Sequence, residues 1–323
     1  MYDVVILSLS EGSSADACGG GCGGCGAEAS AEAAACVTPR VPVLKCAEAL
    51  TERGARVETV VANSDQEIDA VLARFDGEPR PDGLTWPDPD TKARLIVATA
   101  VDGQLRAVLR RLVRRYAPPP SKRPADLAAD RSVPDLPAVA LLPLDAANTT
   151  DLTAQLGLPR TPAEVAAAVL AGRVRRLDLL RNDGGSVTLD GVLLGGSDDD
   201  GRAVPWRGRV EVDDALLSDG EDPILACAIG NGGGYAEFDG LRLLADGDPT
   251  DGRVEVAVAV PKIVKQRFRG TKVQVEVRRA RGRAVSVRPR DGEVQFLDDG
   301  VGGSTSRKRS WWTEPGAWAV YAS

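Results

Sequence analysis

The stretch Leu95-Ile96-Val97-Ala98-Thr99-Ala100-Val101-Asp102-Gly103-Gln104 decides the fold. Its four leading apolar residues read as a short buried strand. The run that follows, 103–116, puts Leu105, Val108, Leu109, Leu112 and Val113 on one side at helical spacing, and Pro118-Pro119-Pro120 stops it. A strand that turns at once into an amphipathic helix is half of a βαβ unit. The same alternation extends outward. Strands are predicted at 3–9, 57–61 and 138–142, and helices after Pro42, after Ser64 with Glu67 three residues on, and from Thr161 to near Gly172. This predicts an α/β domain with a Rossmann-like parallel sheet over 1–172. Beyond Arg173 short alternating strands follow at 187–194, 204–212, 224–229, 254–260, 273–277 and 284–287, separated by Gly- and Asp-rich turns. That texture predicts a mostly antiparallel, β-sandwich-like second domain over 173–311.

Composition narrows the chemistry. The 323 residues include no histidine, which excludes a Ser-His-Asp triad, a Cys-His pair and an HExxH zinc site. Proton transfer must then use Asp, Glu, Lys, Cys, Tyr or water. Aromatic residues are only 4%, so the core must be mainly Val, Leu and Ala. The net charge of −7 argues against a nucleic-acid partner. No segment reaches the length of a membrane span. The start, Met1-Tyr2-Asp3-Val4-Val5, carries an early acid and no basic region, so it reads as a first strand rather than a signal peptide. The expectation is a cytoplasmic protein with reduced thiols.

In order along the chain, several segments resemble the diacylglycerol kinase catalytic family, relatives of the sphingosine kinases and NAD kinases. The stretch 95–104 sits where the family has a strand and GGDGT. Leu142-Pro143-Leu144-Asp145-Ala146-Ala147-Asn148 sits where it has LPLGTAND, and Leu156-Gly157-Leu158-Pro159 follows. The stretch 163–179, Gly230-Asn231-Gly232 and 248–256 are similar to later family segments. The closing stretch, about 312–323, is similar to a family strand that returns to the first domain. The resemblance implies an NAD kinase/diacylglycerol kinase-like fold and ATP- and Mg²⁺-dependent phosphoryl transfer to a lipid hydroxyl. It implies Asp102, Gly103, Gln104, Asn148 and Thr149 at the nucleotide, and Asp102 and Asp299 in catalysis. It also implies Asp248 and Asp251 at a structural Mg²⁺, for which a plain surface turn is the competing reading. Asp299 matches the aspartate of the family's DGE motif by distance to the chain end, although a literal DGE stands at Asp291-Gly292-Glu293. The expected partners are a nucleotide, a membrane lipid reached from the periphery of the bilayer, and a second copy of the chain. This sequence departs from the motifs, however. Ala100 and Val101 replace both leading glycines of GGDGT, Gln104 replaces its threonine, and Thr149 replaces the aspartate of the second motif.

Where the family has a phosphate loop after its first strand, this chain has a Gly/Ala-rich segment, 11–36, carrying Cys18, Cys22 and Cys25 at C-x3-C-x2-C spacing. Cys36 is the best fourth ligand. Closely spaced thiolates on a glycine-rich loop suit Zn²⁺ or an Fe–S cluster. Redox-active thiols and an inert linker are the other two readings. Cys46, on an apolar helix face, and Cys227, in an apolar strand, read as core. The segment supports an alternative function, a non-catalytic kinase fold acting as a metal or redox sensor or adaptor. Two basic clusters remain: the arginines of 103–116, and Arg307-Lys308-Arg309 beside Trp311-Trp312. They suit either a membrane interface or ordinary solvated and core positions, the second being favoured.

Overall fold

A computed structural model of the chain describes residues 2–10, 40–198, 200–235, 237–238, 240–245, 247–266 and 270–322. Cys18, Cys22, Cys25 and Cys36 lie outside the described residues.

The first half alternates as the apolar periodicity requires. Strands β1 (Asp3–Leu9), β2 (Arg56–Ala62), β3 (Ala93–Thr99) and β4 (Ala138–Pro143) are all parallel, in the order β4-β3-β1-β2. Helices α1 (Val41–Thr51), α2 (Asp65–Leu72), α3 (Asp102–Tyr116), α4 (Leu152–Gln155) and α5 (Pro162–Ala171) connect or flank them. Local chemistry sets their ends. The Ser64 hydroxyl accepts from Glu67 N at the start of α2. Thr161 and Glu164 form a full capping box on α5, and Gly172 ends that helix at φ 72°, a conformation cheap only for glycine. Val5, Leu7, Leu95 and Val97 face α2 and α3, while Val4, Ile6, Ile96 and Ala98 face α1 and α5, so the sheet is buried on both sides.

The second half is mostly antiparallel, and the closing strand ties it to the first sheet. Strands β5 (Val174–Asn182), β6 (Val187–Thr188) and β7 (Gly191–Leu194) lead into β8 (Gly208–Val212), β9 (Ala215–Asp219) and β10 (Ala226–Gly230). The long hairpin β11 (Val254–Gln266) and β12 (Gly270–Gly282) follows, then β13 (Ala284–Pro289), β14 (Val294–Asp298), β15 (Val301–Thr305) and β16 (Arg309–Tyr321). β12-β11-β10-β7-β14-β15 make a six-stranded sheet. β8, β9 and β13 instead join the first sheet through β16, giving a ten-stranded sheet that crosses the predicted boundary at 172. The link is β16 itself. Its end pairs in parallel with β4 (Ala319 with Ala138) and its start pairs with β13 (Trp312 with Ala284). Between the sheets, Val192, Ile229, Val256, Val285 and Trp311 pack into a second core.

Part of each basic cluster is held by packing, while Arg114, Arg307 and Lys308 are exposed. On α3, Arg111 pairs with Asp65 at 2.9 Å and also with Asp69, and Arg115 Nε reaches Asp76 at 2.6 Å. Arg106 points into the second domain. Trp311 is fully buried, and Trp312 donates to Glu314 at 2.9 Å. Among the described residues no helix is long and apolar enough to cross a membrane.

Candidate active site

At the carboxyl ends of β3 and β4 the two halves enclose a cleft of about 620 Å³. Open α/β sheets bind ligands at such a position. One wall is the β3–α3 turn, Ala100 to Gly103. The 148–151 loop and Gln155 form a second wall, and Asp190, Gly234, Tyr235 and the 299–302 turn close the far side.

The β3–α3 turn is made without the missing glycines. Val101 is extended at φ −142° and ψ 151°, so its branched side chain causes no backbone strain. That side chain is 58% exposed and stands at the cleft, where a glycine would leave bare backbone. Asp102 opens α3, and its carboxylate accepts from Leu152 N at 3.1 and 3.2 Å. Burial pushes its pKa up to about 6; the Leu152 amide and Arg160 oppose this, and the charges of Asp151 and Asp190 add to it. Gly103 is required by close approach, because a Cβ there would lie 2.9 Å from Val301 Cγ2. Gln104 does not reach the cleft. It is buried, accepts from Ala100 N at 2.7 Å and donates to Leu9 O at 3.4 Å, tying the ends of β1 and β3 together. The Gln104 side chain, expected at the nucleotide, thus ties the turn together and does not line the cleft.

The second motif is shaped by Arg160. Its guanidinium bonds Asp151 at 2.5 and 2.9 Å, Ala146 O at 3.2 Å and also Asn148 O. Asn148 lines the cleft, with its Oδ1 held by Thr150 N at 3.0 Å and Thr150 Oγ1 at 2.9 Å. Thr149 is exposed and outside the cleft wall, and Thr150 lines it instead, because the Asn148 turn directs the chain so.

Asp299 sits on the cleft wall but turns its carboxylate inward. The backbone is left-handed at φ 48°. The side chain is 1% exposed and accepts from Leu189 N at 2.7 Å, Asp190 N at 2.9 Å and Gly191 N at 3.2 Å. Burial and the adjacent Asp298 hold its pKa well above the ordinary carboxylate range. A carboxylate committed to three amides holds the β6–β7 turn in place. What it positions is Asp190, which points at the cleft, accepts from Gly234 N at 2.9 Å and is likewise raised by burial. The literal DGE is elsewhere. Asp291 pairs with Arg207 on the surface at 3.4 Å, and Glu293 bonds Ser304.

Asp298 carries a buried link between the halves. Arg106 Nη2 bonds Asp298 Oδ2 at 2.8 Å, Arg106 Nε bonds Val187 O at 2.8 Å, and Thr188 Oγ1 donates to Asp298 at 2.7 Å. Asp248 and Asp251 do not converge as a magnesium site. Asp248 caps its own turn through Thr250 N at 2.9 Å, and Asp251 faces the Arg281 guanidinium. The carboxylate between their loops, Asp178, is satisfied by Gly252 N at 2.6 Å and Gly316 N at 2.7 Å. No group of three or more metal-ligating side chains occurs among the described residues. Cys46 and Cys227 are buried free thiols, each pushed up to about 12 by burial, which makes them inert core residues.

Sequence reasoning missed Asp190, Asp151, Gln155, Tyr235 and Arg160. Only the Gly230–Gly234 run gave a signal. A Cβ at Gly234 would fall 1.7 Å from Asp190 Oδ2, so the bare backbone there is what seats that carboxylate.

No family model matches the chain, and no curated protein matches it. Solved structures do. A diacylglycerol kinase from Bacillus anthracis str. Sterne is 12% identical, with a TM-score of 0.58 over 100% of this chain and 97% of that one. A second structure from the same organism, provisionally described as a diacylglycerol kinase, is 13% identical with a TM-score of 0.60 over the same shares. At this identity the likeness shows the fold, and the chain has the diacylglycerol kinase-like fold.

Proposed function

We propose that the cleft is a phosphoryl-transfer site in which a Mg²⁺–nucleotide donates to a hydroxyl, with a lipid as the acceptor class. The observation that carries this is the placement of two raised, cleft-facing carboxylates, Asp102 and Asp190, at the strand ends where this fold leaves its opening. The lining carries Asp102, Asp151, Asp190 and Asp299 and no lysine or arginine among the described residues. Bare polyphosphate would be repelled there, whereas a divalent cation suits hard carboxylate oxygens. Asp102 and Asp190 are the residues that would hold Mg²⁺, which supplies neutralisation of phosphate charge when bound. With a pKa of about 6 in the metal-free protein, Asp102 is mostly ionised at neutral pH and so able to carry the cation. The α3 N-terminus adds its partial positive charge beside it. Arg160 holds the Asn148–Asp151 loop in place, and Asp299 and Gly234 hold Asp190.

The test is transfer of labelled γ-phosphate from ATP to diacylglycerol in mixed micelles with Mg²⁺. Transfer that falls by at least about 100-fold in Asp102→Asn supports the reading, since losing one preorganised electrostatic contact to the transferring group costs on that order. Wild-type protein that transfers no phosphate to any lipid alcohol would contradict it. The cysteine-sensor reading concerns residues outside the described chain. The replaced glycines of the β3–α3 turn favour it, and zinc or iron retained by purified protein would support it.

A further inference from the structure

The connections 76–92 and 117–137 are both longer than the roughly 12–15 residues beyond which irregular loops usually carry function. They fold together at the opposite end of the parallel sheet from the cleft, against Ala93 of β3 and Ala138 of β4, and enclose a cavity of about 600 Å³. That volume suits a small organic ligand. The cavity is rigidly built. Arg80 lies 4.1 Å over the Trp86 ring and grips Asp126 at 3.0 and 3.1 Å. Gly77 N donates to Trp86 O at 2.8 Å and Asp88 N to Phe75 O at 2.9 Å, while Tyr116 and Arg115 hold Asp76 below them. Leu136 N is fixed to Ala317 O at 2.9 Å.

Its lining pairs an apolar surface with two arginines, Arg131 and Arg176, and the carboxylates Asp88, Asp126 and Asp135. Trp86, Pro87, Leu127, Leu136 and Tyr321 supply the apolar part. Arg131 and Arg176 share a single carboxylate, Asp135, which Arg176 Nη2 reaches at 2.8 Å. Asp126 is already neutralised by Arg80. Arg131 Nε and Nη2 and Trp86 Nε1 find no acceptor, although each is buried. Two guanidiniums on one carboxylate leave a place for a second anion, and planar guanidinium donors match a carboxylate, sulfonate or phosphate. Burial disfavours the Arg176 cation, Asp135 supports it and neighbouring Arg131 opposes it, so a further anion would relieve the site.

We propose that this cavity is a second ligand site, separate from the cleft, for a small organic anion with a flat apolar body. The anionic group binds at Arg176 and Arg131, and the body lies against Trp86 and Leu127. The proposal does not depend on the phosphoryl-transfer reading.

The test uses two probes that share one body, 1-anilinonaphthalene-8-sulfonate and the neutral N-phenyl-1-naphthylamine, titrated into the full-length protein and read by fluorescence. The expected result is saturable binding of one sulfonate probe per chain, with an affinity at least about tenfold above that of the neutral probe. Arg176→Met should abolish that preference and leave neutral-probe binding unchanged, while Arg176→Lys keeps part of it. Ala128→Trp, which fills the cavity from its rim, should remove both while leaving the thermal midpoint near wild type. Equal affinity for the two probes, non-saturating binding, or sulfonate binding unaffected by both Arg176→Met and Ala128→Trp would overturn the proposal.

Discussion

Replacing Asp102 with asparagine should stabilise the fold while it removes activity. In the folded chain the Asp102 pKa rises from 3.8 to about 6. A carboxyl that is harder to ionise when folded opposes folding once it is charged. Below about pH 4 it is protonated in both states and contributes nothing. Between about pH 4 and 6 the folded state holds the proton that the unfolded state has released, so stability falls as pH rises. Above about pH 7 the full cost is present. Two pH units at about 1.4 kcal/mol each set an upper end near 3 kcal/mol. Water contact with the part-buried carboxylate reduces this, and the asparagine side chain keeps an oxygen that can accept from the Leu152 amide, so the expected gain is about 1–2 kcal/mol at pH 7.5. Urea denaturation of wild type and Asp102→Asn at pH 4.5, 5.5, 6.5 and 7.5 measures it. The stability difference should grow across the first three values and level off at the fourth. A difference that does not change with pH, or a variant less stable at every pH, would show that burial of this charge is not what the site is built on.

Other perturbations separate positioning from chemistry. Asp299→Ala strands three buried amides and should cost at least about 3 kcal/mol in denaturant unfolding; lost transfer with unchanged stability would instead restore its role as base. Arg106→Met leaves Asp298 charged and buried, and should cost about 3–5 kcal/mol, much of it recovered in the double variant with Asp298→Leu. Gly234→Ala must displace Asp190, so it should lower the maximal transfer rate far more than the thermal midpoint. If rate and midpoint fall together, Asp190 matters only to folding.

The parallel sheet was legible because its strands are unbroken apolar runs and its helices carry their own stop and start signals, such as Thr161 with Glu164 and Gly172. The return of the closing strand to the first domain was expected too; which sheet takes β8 and β13 was not. β8 and β13 alternate like any sandwich strand, and nothing in that alternation says which sheet accepts them; the answer comes from β16 reaching both β4 and β13. Strands β9, β14 and β15 were not read at all, since polar and glycine residues such as Gly302 and Gly303 dilute their pattern. At the cleft, motif position brought Asp102 and Asn148 to the lining. Gln104 and Thr149 stand off the lining, because motif position carries no information on where a substituted side chain turns. Asp190 and Arg160 belong to no local pattern, and their roles come from contacts made far along the chain.

The most direct measurement is calorimetric titration of ATP into the purified protein with and without Mg²⁺. An acid-lined cleft that takes its nucleotide through a divalent cation predicts one site per chain with Mg²⁺, loss of that binding in chelator, and marked weakening in Asp102→Asn. Nucleotide binding of equal strength without a divalent cation, or none with it, would contradict the account.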